Sequence, residues 1–142
     1  MTAKTILITG ATSGIGRVAA ERLAEQGAQV VLVGRSAAKT EAAVGEIKRA
    51  TSHAAVDYLL ADLSEQAQVC ALAEQFLSRY PRLDVLINNA GAIFATRRLT
   101  AEGHEMTWAL NHLSYFLLTH LLLDRLLASG PARIINVASN AH

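Results

Sequence analysis

The stretch Ile6-Leu-Ile-Thr-Gly-Ala-Thr-Ser-Gly-Ile-Gly-Arg17 decides the fold. Residues 6–8 form a short apolar run of the kind a buried strand uses. The run stops at Thr9-Gly10, and a helical pattern begins near Gly14 and continues to about Gln26. Between strand and helix the glycines are spaced Gly10-x-x-x-Gly14-x-Gly16. A helix N-terminus carries unpaired N–H groups and a partial positive charge, so this arrangement makes a cradle for phosphate. Glycine permits the tight turn and lets backbone approach a ligand closely. The same glycines also fit an ordinary strand-to-helix turn.

Outward from this turn, strand and helix patterns alternate. Gln26-Gly27-Ala28 closes the first helix, and residues 29–33 are a β-branched apolar run ending at Gly34. Ser36 is placed to cap a helix over 37–48. A third strand is expected over 56–60, and Ser64 is placed to cap a helix over 65–78, which Pro81 ends. A fourth strand over 84–87 stops at Asn88-Asn-Ala-Gly91. After a loop of about ten residues, the longest helix is expected over 101–128, closed by Ser129-Gly130-Pro131. A fifth strand over 133–137 ends at Ala138-Ser139.

Five such alternations with no hairpin signal predict an α/β fold: a doubly wound parallel sheet with helices on both faces. Ligands then bind at the C-terminal ends of the strands. Those ends carry Thr9-Gly10, Gly34-Arg35, Asp62, Asn88-Asn89 and Ser139. Residues 113–127 are apolar around most of the helix, so a second buried side is expected there, against another helix or another subunit.

The chain has 142 residues, which suits one domain, 1–142, and it is 51% hydrophobic and 18% charged. Its formal charge of +1 and few aromatic residues leave no electrostatic or stacking footprint for nucleic acid. Cys70 is the single cysteine, which fits a reducing compartment. Residues 113–127 are interrupted by Ser114, Thr119, His120, Asp124 and Arg125, so no membrane span is expected. A soluble, cytoplasmic protein is the expectation. His104, His112 and His120 recur every eight residues, a rotation of about 80° on a helix, so they do not converge on a metal. Neither a P-loop Gly-Lys-Ser/Thr nor a Gly-x-Ser-x-Gly elbow is present.

Four motifs in order resemble the N-terminal part of a short-chain dehydrogenase/reductase with its Rossmann-type sheet. They are Thr9-Gly10-Ala-Thr12-Ser13-Gly14-Ile15-Gly16, Asp62-Leu63, Asn88-Asn89-Ala90-Gly91, and Arg133-Ile-Ile-Asn-Val-Ala-Ser139. The resemblance implies that the glycine turn cradles the pyrophosphate of a nicotinamide dinucleotide. It implies that Asp62, with Leu63, receives the adenine amino group, and that Asn89, Ala90 and Gly91 line the cofactor cleft, while Asn88 ties neighbouring strands. It assigns Asn111 to holding a proton-relay water and Ser139 to the substrate oxygen. Read from the residues alone, Asp62 is also a helix-start charge, Asn111 a tolerated helix polar residue and Ser139 a strand-end turn residue.

Arg35 lies 19 residues after Gly16, where dinucleotide folds place the ribose-reading group. A guanidinium there suits a 2′-phosphate, so NADP(H) is favoured over NAD(H), with Arg17 and Ser36 as further candidates. The segment from Glu102 through Asn111-His-Leu-Ser-Tyr-Phe-Leu-Leu resembles the retinol dehydrogenase and protochlorophyllide reductase branch, which implies alcohol or carbonyl substrates with apolar bodies.

The family's proton-transfer pair is Tyr-x-x-x-Lys. Here Tyr58, Tyr80 and Tyr115 are followed at the fourth position by Asp62, Asp84 and Thr119, and the last lysine is Lys48. The expectation is therefore an oxidoreductase portion that is inactive as this chain, from an incomplete gene product. The alternative is a non-catalytic dinucleotide-binding or interaction module, pairing through its apolar helix in a homo-oligomer.

Overall fold

The computed structural model describes residues 3–140. Five parallel strands form one sheet in the order β3-β2-β1-β4-β5. They are β1 (Thr5–Thr9), β2 (Gln29–Gly34), β3 (Val56–Leu60), β4 (Val85–Asn88) and β5 (Arg133–Asn136). Ile6 pairs with Val30 on one side of β1 and with Val85 on the other. This order is doubly wound: the chain steps outward from β1 to β3, then crosses back to place β4 on the other side of β1.

The apolar runs are uninterrupted because the central strands are buried on both faces. Alternation along β1 sends Ile6 and Ile8 to one face and Leu7 to the other. The first face packs on α1 (Gly14–Glu25) and α2 (Ala37–Thr51) through Ala20, Ala24, Val44 and Ile47. The second packs on α3 (Gln66–Arg79) and α5 (Ser114–Ala128) through Leu72, Phe76, Leu118 and Leu122. Ser36 does cap α2, accepting from the Lys39 N–H at 3.4 Å.

Two expectations are revised, the start of the long helix and the Ser64 cap. The long helix begins at Met106, not near 101, as α4 (Met106–Trp108) and a π-helical segment (Ala109–Leu113) leading into α5. Residues 100–104 instead close a turn in which the Thr100 N–H donates to the His104 carbonyl at 2.7 Å and Gly103 adopts φ of +85°. The Glu105 carboxylate then caps the helix, accepting from Thr107 and Trp108 N–H groups at 3.1 and 2.8 Å. Ser64 does not cap α3; its hydroxyl donates to Asp62 at 2.7 Å, which removes it from the helix end. Within the chain, the long helix buries the stripe Ser114, Leu118, Leu122 and Leu126 against the sheet side, and its second apolar side presents Phe116 and Leu127, 69% and 70% exposed.

At the N-terminal edge of the sheet, Asp84 is buried and accepts from the Thr5 N–H at 2.8 Å. Arg82 donates to both Asp84 oxygens and to the Ser129 carbonyl. These bonds join β1, β4 and the end of α5. The edge strand β3 turns its own Asp57 back onto the Tyr58 N–H at 2.8 Å, which occupies a donor another strand could have used.

Candidate functional site

Because every strand is parallel, their C-terminal ends form one edge, and the glycine turn sits in its middle, after β1. Gly10 holds φ of +64° and Gly14 φ of +56°, both in the left-handed region. A Cβ on Gly10 would stand 2.7 Å from the Ala90 Cα. A Cβ on Gly16, inside α1, would stand 2.4 Å from Asn89 Nδ2 and 2.5 Å from the Gly10 carbonyl oxygen. The turn is thus pressed against the end of β4.

Ser13 is the extended residue before α1, and its side chain makes no capping bond. Among the described residues the N–H groups of Gly14, Ile15 and Gly16 find no acceptor. Ser13, Gly14 and Ile15 are exposed, Ile15 to 74%, and Thr12 is half-buried beside Gly34. Donors, dipole and open space coincide there, which is the donor set a phosphate needs.

Thr9 clasps this turn to β4. Its buried hydroxyl oxygen accepts from the Asn89 and Ala90 N–H groups at 2.9 and 3.0 Å. The Asn89 side chain returns the link, donating to the Thr9 and Gly10 carbonyls at 3.0 and 3.1 Å. Asn89 therefore holds the cradle from beneath. Asn88 ties strands, as expected, donating to Asn136 on β5 at 2.9 Å and to Thr119 on α5 at 3.1 Å.

Beyond the cradle, Asn111 sits in the π-helical segment and grips Ala92. Its Oδ1 accepts from the Ala92 N–H at 3.0 Å, and its Nδ2 donates to the Ala92 carbonyl at 2.9 Å. Gly91 passes under it, where a Cβ would stand 3.2 Å from Asn111 Oδ1. A π-turn widens a helix locally, which suits a side chain used for such a two-point contact.

The family model of the short chain dehydrogenases matches residues 4–142. The chain is 45% identical over 139 residues to retinol dehydrogenase 12 of Bos taurus and 45% identical over 139 residues to retinol dehydrogenase 11 of Homo sapiens. Each match covers 98% of this chain and 44% of the relative. Among solved structures, a short-chain dehydrogenase from Sphingobium yanoikuyae in complex with NADPH is 37% identical with a TM-score of 0.82, covering 96% of this chain and 54% of that one. The chain belongs to the short-chain dehydrogenase family. It spans less than half the length of the curated relatives it matches.

The remaining residues that the family resemblance singles out are distributed along the same edge. Asp62 follows β3, and its Oδ1 accepts from the Ser64 N–H at 3.0 Å and hydroxyl at 2.7 Å, leaving Oδ2 without a partner among the described residues. Leu63 buries its side chain in the core, so only its backbone can face the cleft. Arg35 follows β2, is exposed, and makes no ion pair or hydrogen bond among the described residues. Arg17 is committed elsewhere, to Glu21 at 3.3 Å and Glu46 at 3.1 Å. Ser139 lies past the end of β5 and is exposed.

Tyr115 belongs with this site, although no motif pointed to it. Its hydroxyl donates to the Ala90 carbonyl at 2.9 Å and lies 3.4 Å from that of Val137. The available signal was its position four residues after Asn111, on the same helical face. Burial pushes the Tyr115 phenol above its ordinary value. Tyr80 is raised by burial and then by the Asp57 carboxylate, and Tyr58 by its hydrogen bond to Glu41. All three shifts favour the protonated phenol.

Proposed function

We propose that this chain forms the cofactor-binding portion of an NADP(H)-dependent oxidoreductase acting on an alcohol or carbonyl substrate with an apolar body. The observation that carries this reading is the glycine cradle: positions where a Cβ would strike backbone, beside N–H groups that have no acceptor among the described residues. Residues 9–16 would hold the pyrophosphate, with Thr9, Thr12 and Ser13 shaping the turn. Asp62 Oδ2 would accept from the adenine amino group, and the exposed, unpaired Arg35 would meet the 2′-phosphate. Ala90 and Gly91 would border the nicotinamide half, with Tyr115 fixing the Ala90 carbonyl and Asn111 the Ala92 backbone that follows. When bound, the cofactor supplies hydride exchange at its nicotinamide ring. Ser139 would orient the substrate oxygen.

As this chain, the protein binds the dinucleotide without turning it over. The absent Tyr-x-x-x-Lys pair and the three raised tyrosines support that part of the reading. The test is a fluorescence titration with NADPH and with NADH, followed by incubation with aldehydes and ketones. NADPH should bind more tightly than NADH, and neither should be consumed. Tighter NADH binding would overturn the cofactor choice, and turnover would overturn the inactivity.

A further inference from the structure

The geometry points to Glu102 as a positioning residue that fixes the Asp62 end of the cleft and ties it to the Asn111 end. This inference rests on the cofactor reading above. Helix α3 begins at Gln66, and its preceding residue, Glu65, offers no side-chain cap. Glu102, 36 residues further along the chain, supplies one. Its Oε2 accepts from the Gln66 N–H and its Oε1 from the Ala67 N–H, each at 3.1 Å. A carboxylate at that end satisfies two orphan donors and opposes the helix dipole.

The first turn of α3 is also what holds Asp62. The Gln68 side-chain oxygen accepts from the Asp62 N–H at 2.7 Å, and the Asp62 carbonyl accepts from the Glu65 N–H at 3.2 Å. Fraying that turn therefore releases the backbone that aims the Asp62 carboxylate.

On its own side Glu102 sits in a closed turn. The His104 N–H donates to Thr100 Oγ1 at 3.2 Å, and the Gly103 N–H donates to the Thr100 carbonyl at 3.0 Å. The next carboxylate, Glu105, starts the helix whose π-segment carries Asn111. Among the described residues, Glu102 makes the only hydrogen-bonded link between residues 92–105 and α3. The two ends of the cleft thus share one carboxylate.

The experiment compares the wild-type chain with E102A and E102Q. It reads amide hydrogen exchange at Asp62, Gln66 and Ala67, and dissociation constants for NADPH and for 2′,5′-ADP. In E102A the Asp62 amide should exchange faster, and both ligands should bind about three- to tenfold more weakly, as loss of a helix cap implies. E102Q keeps one acceptor oxygen and should fall between; it also serves if E102A does not fold. A lower Tm with unchanged Asp62 exchange and unchanged affinities would mean a plain helix cap and would overturn the inference. If the wild type binds no NADPH, the cofactor reading fails, and the Asp62 exchange still decides the role of Glu102.

Discussion

Gly16 and Arg35 make opposite demands on their surroundings. Gly16 has no room: an added Cβ meets a backbone oxygen at 2.5 Å, which cannot rotate away. Gly16→Ala should therefore displace the turn, costing about 1–3 kcal/mol of stability and most of the NADPH affinity. Thermal unfolding and fluorescence titration read the two effects. Arg35 has only room. Arg35→Ala removes no hydrogen bond or ion pair among the described residues, so Tm should not move. NADPH should bind at least about tenfold more weakly, as loss of a hydrogen bond to a charged group implies, while NADH is unaffected. Equal losses for both cofactors would place Arg35 away from the 2′-phosphate.

At the scale of elements, Asp84 shows how β1, β4 and α5 are pinned together. Its hydrogen bond with Arg82 holds the carboxyl below its ordinary value, against the opposing effect of burial, with the Thr5 N–H helping. A carboxylate lowered on folding stabilises the fold above its unfolded pKa, and that contribution is lost as pH falls through the folded value. Urea midpoints should therefore be flat from pH 7 to about 5 and decline below about pH 4, with Asp57 contributing in the same direction. Asp84→Asn should cost about 1–3 kcal/mol at pH 7, because Arg82 and the Thr5 N–H lose a charged acceptor. The variant should also show a shallower acid decline.

For the whole molecule, the two sides of the sheet are unequal. On the β3 side the edge is blunted by Asp57, which takes up the Tyr58 N–H. On the β5 side Ile134, Ile135 and Val137 are 37–44% exposed, and Phe116 and Leu127 of the long helix are exposed as well. A parallel edge strand with apolar side chains invites association. Sedimentation should detect concentration-dependent self-association of this chain, and Leu127→Lys with Ile135→Lys should reduce it. Among the described residues no helix is long and apolar enough to cross a membrane.

The alternation of apolar runs and helical stripes was enough to place five parallel strands, because burial on both faces leaves a central strand as a short continuous apolar run, distinct from the one-sided stripe of the helix that follows it. The turn after β1 was legible because the positive φ at Gly10 and Gly14 is a local demand, whereas the lack of room for a Cβ at Gly10 and Gly16 is set by Ala90 and Asn89 from the end of β4. The start of the long helix was not legible, because a Glu105 cap and a Thr100–His104 turn compete with a helical pattern that continues through them. The tasks of Asn89, Tyr115 and Glu102 were equally hidden. Each side chain bonds to distant backbone, 79, 25 and 36 residues away at Gly10, Ala90 and Gln66, and no local pattern carries such a partner. The sequence alone determined which residues would gather at the C-terminal edge of the sheet. Only the tertiary structure decided which of them grip one another and which, like Arg35, are left facing outward, because that depends on contacts made across the sheet.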